Sequence, residues 1–298
     1  MSPEPVGPLG IARRHTADPL FRLVAYALEA AHDRPPATVW SAPHAFHFGS
    51  PRLVAAAGWP VAAAAAPRDD GIVRLSSLAH PAHSCELPLT GPPLPHPEWA
   101  ARTYALLRAL AGAGYGRGGL DLHIHSTLTA ATGLSSAEPL ECAVALAVAD
   151  LHAGRAGPRL PRGRLAALAR AAVPEGDEVL REAALFARPG QALMLGRGTR
   201  RRVRFDPDAH GSRLTLLVTR GDEPAPDEIE RAVACARRAG ATAAWWPGRR
   251  PERSAMVLLP RERLTDLRTA VTEEFRDRGL RVPRLVNITV AGAARREE

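Results

Sequence analysis

Lysine is absent from this chain. All 39 Lys+Arg residues among its 298 are arginine. That excludes a Walker A phosphate loop, which needs its lysine. It excludes imine chemistry on a lysine amine, and it excludes the protein-kinase strand lysine and the SxxK pair. Asparagine and glutamine occur once each, as Asn287 and Gln191. The bias toward Ala, Arg, Gly and Pro is that of a GC-rich bacterial genome, so the missing lysine reflects codon usage before it reflects function. Aromatic residues make up 5%, so a core must be built from Ala, Leu and Val. The three cysteines, Cys85, Cys142 and Cys235, lie far apart with no CxxC, which is neither a disulfide framework nor a zinc knuckle. Long hydrophobic runs are missing too. Val61–Ala66 is far shorter than a membrane span, and MSPEPVGPLG lacks the apolar stretch of a signal peptide. The expectation is a soluble, cytoplasmic protein with no membrane partner.

What is present is charge, helix periodicity and small residues. The net charge is +8, with its densest cluster at Arg200, Arg201, Arg202 and Arg204. No aromatic residues interleave there, so the cluster reads as a solvated basic surface and no nucleic-acid partner is expected. The length suggests two domains. A loose Pro/Gly-rich tail spans 1–19. Apolar periodicity predicts a helix over 20–31, stopped by Pro35-Pro36. Strands are expected from Thr38, over 59–65 and over 72–78, read together as a β-meander, and 81–97 reads as a loop. A helix over 98–111 ends in GAGYGRGG. LDLHIHS (120–126) alternates strictly, with Asp121, His123 and His125 on one face. A small-residue loop (129–136) and a long helix (138–153) follow. GRAGPRLPRGR marks a boundary near 158, giving units 20–158 and 159–298. Helices are expected beyond it at 165–172, 227–239 and 261–278. Strands are expected at 191–195, 203–205, 214–219, 255–259 and 285–290. This mixture favours α+β over a doubly wound sheet.

The most specific segment runs from the 120–126 strand through the small-residue loop into the helix at 138. Such a loop leaves backbone N–H groups free at a helix N-terminus, where an anion is favoured. Ser135 and Ser136 add hydroxyls. The bland alternative is a capped helix start, with Ser136 as cap and Glu138 in the first turn.

Here the chain resembles galactokinases of the GHMP kinase superfamily. Their phosphate loop, of the type PxGAGLSSSAALE, is matched by Gly133-Leu134-Ser135-Ser136-Ala137-Glu138-Pro139-Leu140-Glu141. In order along the chain, DRPPATVWSAP (33–43), 58–66 with PRDDGIVRLSSL, RPGQALML (188–195), ARRAGATAAWWPG (236–248) and SAMVLLP also resemble family segments. The likeness runs from about 20 to about 294. It implies a two-domain GHMP-kinase fold, with a ribosomal S5 domain 2-like N-terminal domain and a ferredoxin-like C-terminal domain. It implies a small sugar-like or nucleotide-like ligand in the interdomain cleft, with ATP and Mg as cofactors and Gly133, Leu134, Ser135, Ser136 and Glu141 as the nucleotide-binding set. A monomer or dimer is expected.

The departures bear on activity. The family's GRVNLIGEHTDY is replaced from Pro43 onward by His44-Ala45-Phe46-His47-Phe48-Gly49-Ser50-Pro51-Arg52-Leu53-Val54. Ser50 and Arg52 stand among the residues replacing the sugar-binding EHTDY, and no carboxylate remains there. His44 or Ala45 takes the catalytic Arg position. By spacing from RPG, the Asp of the family's GIMDQ falls on Leu180 and its Gln on Arg181. Asp177 is the surviving carboxylate if the alignment slips by three. The glycine-rich GGGFGG loop becomes Gly248–Arg253, which keeps only one glycine. Together these changes imply a degenerate galactokinase-like protein with little galactose phosphorylation. The alternative is an active enzyme of altered chemistry, either a kinase for another small molecule or a histidine-based enzyme. His44 and His47 are its catalytic candidates, and Ser50, Arg52, His123 and His125 its substrate-binding candidates. No metal set is expected, although the His123/His125 spacing is that of a metal-binding β pair.

Overall fold

The computed structural model describes residues 10–14, 16–48, 53–129, 132–155, 160–196, 199–220, 226–247 and 253–297. Its first helix, α1 (Pro19–His32), starts where Asp18 accepts a hydrogen bond from the Leu20 N–H at 2.8 Å and Pro19 presets the first turn. It ends at Asp33, whose left-handed φ of 55° stops the helix. Part of the expected tail is docked on this helix, since Ile11 and Ala17 are buried beside Phe21, Val24 and Leu28.

A long hairpin follows, β1 (Thr38–Phe48) and β2 (Leu53–Pro67). Ala62 to Ala66 form the middle of β2, all buried. Alanine is a weak strand former, so packing on both faces decides. Ala62, Ala64 and Ala66 face α1, while Ala63 and Ala65 face the main core. The chain continues through β3 (Ile72–Ser77), β4 (Cys85–Pro88), α2 (Glu98–Gly112), β5 (Gly119–Ser126) and α3 (Ala137–Arg155).

The expected β-meander is not formed. β5 is inserted between β2 and β3, and β3 pairs with β5 in parallel after the α2 crossover. The two strands approach closely at Gly119. Its φ is +90°, and an added Cβ would lie 2.3 Å from the Ile72 carbonyl oxygen. The loop expected over 81–97 contains β4, which pairs with β3 and whose Pro88 carbonyl accepts from Tyr104 Oη at 2.7 Å.

Beyond residue 160 come α4 (Arg162–Ala172), α5 (Glu178–Phe186), β6 (Gln191–Leu195), β7 (Arg200–Arg204), β8 (Ser212–Val218), α6 (Pro226–Arg238), β9 (Ala243–Trp245), β10 (Ser254–Pro260), α7 (Leu264–Asp277), β11 (Arg284–Ile288) and β12 (Arg295–Glu297). Residues from both sides of 158 share the larger sheet, because β6 pairs with the start of β2 and β12 with β1. The smaller sheet, in order β11-β8-β10-β9, carries α6 and α7 on one face through Leu217, Val257, Ile229 and Phe275. Its other face, with Leu214, Leu216 and Met256, packs on Phe46, Ala55 and Leu134 of the larger unit. Alternate residues of each strand thus serve two cores. The result is a two-domain α+β architecture with an apolar seam between its units.

Candidate active site

At the edge of that seam lies a cleft of about 250 Å3, lined by Ala45, His47, Gly133, Ser135, Glu138, Glu175, Asp177, Leu180 and Pro247. β1 brings in Ala45 and His47 from alternate positions. The start of α3 brings Ser135 and Glu138, and the start of α5 brings Asp177. The smaller unit closes it, where the His47 N–H donates to the Pro247 carbonyl at 3.2 Å. Gly133 has φ +67°, and a Cβ there would meet Ser254 Oγ at 2.5 Å, so only glycine fits beneath β10.

Two interactions organise the cleft. His47 Nε2 donates to Asp177 Oδ2 at 3.1 Å, and the other Asp177 oxygen caps α5 by accepting from the Val179 N–H at 2.9 Å. Glu138 sits in the first turn of α3, where a carboxylate is favoured by the helix dipole. It accepts from Ser135 Oγ, from the Asp177 N–H at 3.0 Å and from Arg102 Nη2 at 2.9 Å. Burial alone would raise the Glu138 carboxyl, but these three donors outweigh it and hold the group below its ordinary value.

Glu141 lies one turn further along α3 and turns away from the cleft. It is buried between Arg181, whose Nε donates at 2.7 Å, and Arg102, whose Nε donates at 2.8 Å. Burial raises the Glu141 carboxyl against the pull of both guanidiniums. Arg181 is itself 1% exposed and also donates to the Val173 carbonyl at 2.7 Å. The Glu141 carboxylate is thus committed to an ion pair.

Of the nucleotide-binding set, Gly133 and Ser135 line the cleft. Leu134 is buried in the apolar seam. Ser136 starts α3, its carbonyl accepting from the Leu140 N–H. His44 is fully buried outside the cleft, with Nδ1 donating to the Trp59 carbonyl at 2.6 Å and Nε2 3.2 Å from Ser126 Oγ. His123 lies on the α1 side of the sheet. Its Nδ1 is 2.8 Å from Ser76 Oγ, which is 2.9 Å from His32 Nε2. Among the described residues, His123 Nε2 and His125 Nδ1 are buried without partners. The geometry brings neither residue to His47. Ser50 and Arg52 lie outside the described residues, as does most of the Gly248–Arg253 loop.

The site adds residues that spacing alone did not select. Leu180, where the family alignment puts the acidic residue, lines the cleft, but Asp177 supplies the carboxylate. Its signal was local: EGDEVL is a helix start with Asp as cap. Arg102, midway along α2, had no sequence signal. Among the described residues no group of three His, Cys, Asp or Glu side chains could hold a metal ion. No helix among them is long and apolar enough to cross a membrane.

The buried histidines give a pH dependence. Burial pushes His44 from its ordinary 6.5 to about 4, against the Trp59 hydrogen bond. Burial, with His32 and His125 adding, pushes His123 to about 4 as well. The unfolded chain therefore binds more protons than the folded one between about pH 6.5 and 4. Stability is full above that window and falls as the pH drops through it, by about 1.4 kcal/mol per proton per pH unit. Urea unfolding at several pH values is expected to show this slope, flattened by one proton's worth in His44→Asn. An unchanged slope in that variant would show that His44 is charged in the fold.

No protein-family profile matches the chain. A galactokinase from Streptomyces coelicolor is 36% identical over 165 residues, covering 53% of this chain and 42% of that protein. The chain thus matches less than half the length of this relative. Lactococcus lactis galactokinase, solved with galactose, superposes with a TM-score of 0.77 at 13% identity, covering 93% of this chain and 99% of that one. Methanococcus jannaschii mevalonate kinase gives 0.60 at 11% identity, covering 85% and 98%. A putative homoserine kinase from Listeria monocytogenes gives 0.57 at 15% identity, covering 87% and 99%. The structures share the fold, and over the matched residues the sequence is similar to a galactokinase.

Proposed function

We propose that this protein no longer phosphorylates galactose at a working rate and that its cleft holds a small, uncharged, sugar-like ligand. One observation carries the reading: the Glu138 carboxylate occupies the start of α3. Phosphoryl transfer is catalysed almost wholly by positioning and electrostatic stabilisation. Two donors an incoming phosphate would use at the start of α3, Ser135 Oγ and the nearby Arg102, are taken by Glu138. Glu175 and Asp177 add further negative charge to the lining. The residues present therefore do not fit a nucleotide phosphate with its magnesium. The volume, about 250 Å3, lies below the roughly 300–1,000 Å3 of pockets for drug-sized ligands, which suits a single small ring.

A second reading rests on the His47–Asp177 pair. Asp177 fixes the imidazole with its proton on Nε2 and leaves Nδ1 as the basic nitrogen. Such an oriented imidazole can take a proton from a ligand hydroxyl, so the cleft retains acid–base capacity without the family's arginine.

Assay of the purified chain with galactose and ATP–Mg is expected to give no turnover above blank. A single charge clamp is worth about 10³–10⁵ in kcat in phosphoryl-transfer enzymes. Robust turnover would overturn the first reading. Glu138→Ala frees the donors and is expected to tighten inorganic phosphate or ADP binding by about tenfold, near 1.4 kcal/mol, in equilibrium dialysis. No gain would mean that Glu138 is not what keeps phosphate out. Under the second reading, His47→Ala abolishes any turnover found in a small-molecule screen while the unfolding midpoint stays within a few degrees. Retained turnover removes the histidine from the chemistry.

A further inference from the structure

The arginine cluster that the sequence singled out has a definite place in the fold. Arg200-Arg201-Arg202-Val203-Arg204 is the whole of β7, and all five residues are exposed. Among the described residues this strand pairs with β6 alone, so its other edge is open. The register fixes which groups face that edge. The Phe205 N–H donates to the Gly190 carbonyl at 2.9 Å and the Gly196 N–H to the Thr199 carbonyl at 3.1 Å. Bonded pairs alternate in an antiparallel ladder, so Arg201 and Val203 bond to β6. The N–H and C=O groups of Arg200, Arg202 and Arg204 point outward.

Only the first charge on this edge is met from within the described residues. Arg200 pairs with Glu182 and lies over the Phe186 ring, 3.8 Å from its centroid. Among the described residues, Arg201, Arg202 and Arg204 have no ion pair or side-chain hydrogen bond. A groove of about 700 Å3 runs along the same face, between α4, α5 and the β6–β7 hairpin. Arg200 and Arg202 line it together with Phe186, Leu195, Val179 and Ala166.

We propose that the β7 edge is a docking site for an acidic, extended segment of a partner protein, added as a further antiparallel strand. Main-chain bonds to Arg200, Arg202 and Arg204 would supply affinity, and alternate side chains specificity. Carboxylates belong opposite Arg204 and Arg202, which lack counter-charges. An apolar side chain belongs opposite Arg200, whose charge is already met, where it enters the groove beside Phe186. The segment therefore reads acidic-x-acidic-x-apolar. A second copy of this chain is disfavoured, because it would bring the same arginines to the edge.

The test uses the full chain and a capped, fluorescent peptide containing Glu-Thr-Glu-Thr-Leu, followed by anisotropy. Binding is expected, weakening by about tenfold from low to physiological salt, and the same peptide with Lys for Glu is expected not to bind. Arg202→Ala removes one charge. Arg202→Pro also removes an outward N–H while leaving the bonds to β6 intact, since proline is tolerated on an edge strand. Arg202→Pro is expected to weaken binding about tenfold beyond Arg202→Ala. A peptide N-methylated at the Glu opposite Arg202 should lose binding to the unaltered protein in the same way, whatever the folding of the proline variant. Binding of the Lys peptide, no binding of the Glu peptide, or full binding of the N-methylated peptide overturns the proposal. The last outcome would mark the edge as a site where any polyanion is held by charge alone.

Discussion

The structure depends on how two buried carboxylates at the start of α3 are met. A carboxylate cannot be left unpaired in a core, because its desolvation costs far more than the fold's margin. Glu138 and Glu141 lie one turn apart, and Arg102 from α2 reaches both. Arg181 from α5 takes the second oxygen of Glu141 and reaches back to the turn after α4. One ionic network therefore joins three helices, and a hydrogen bond ties it to the end of α4. It also aims the site, because the start of α5 is where Asp177 receives His47. A pair of this kind is weak as a source of stability but unforgiving of a missing partner, so it fixes geometry more than it adds free energy.

The legible part of this architecture followed from local rules. The apolar periodicity of residues 20–31, the strict alternation of LDLHIHS and the small-residue loop before α3 mark their elements in the sequence. Strand order was hidden, since nothing in residues 72–78 states that β5, more than forty residues later, will come between them and β2. Most of the run Ala62–Ala66 lies in the strand expected over 59–65, but what holds these weak strand formers there is cover on both faces, which is tertiary information. α5 was missed although Asp177 announces it, because a nine-residue helix carries little periodicity.

The site was legible in outline and not in detail. The loop at Gly133–Ser136 and the residue His47 could be read from pattern and resemblance. Strand phase separates His47 from His44: three residues apart on β1, they point to opposite faces, and Ala45 and His47 face the cleft. Glu141 matches the family's helix residue, yet in this chain it faces two arginines rather than a ligand. Arg102 comes from a helix that resembles many others. Long-range ion pairing of this kind leaves no spacing for a reader of sequence to find.

Glu138 has a consequence for how the protein responds to its surroundings. A nucleotide-binding protein is stabilised by its ligand in proportion to occupancy, so its stability follows metabolite levels. Here the anion at the helix start is part of the chain. Tethering gives it an effective concentration that no free solute matches, and it cannot diffuse away. On the proposed reading, the fold is thereby insulated from the cell's energy charge, holding the same conformation whether phosphate-bearing metabolites are abundant or scarce.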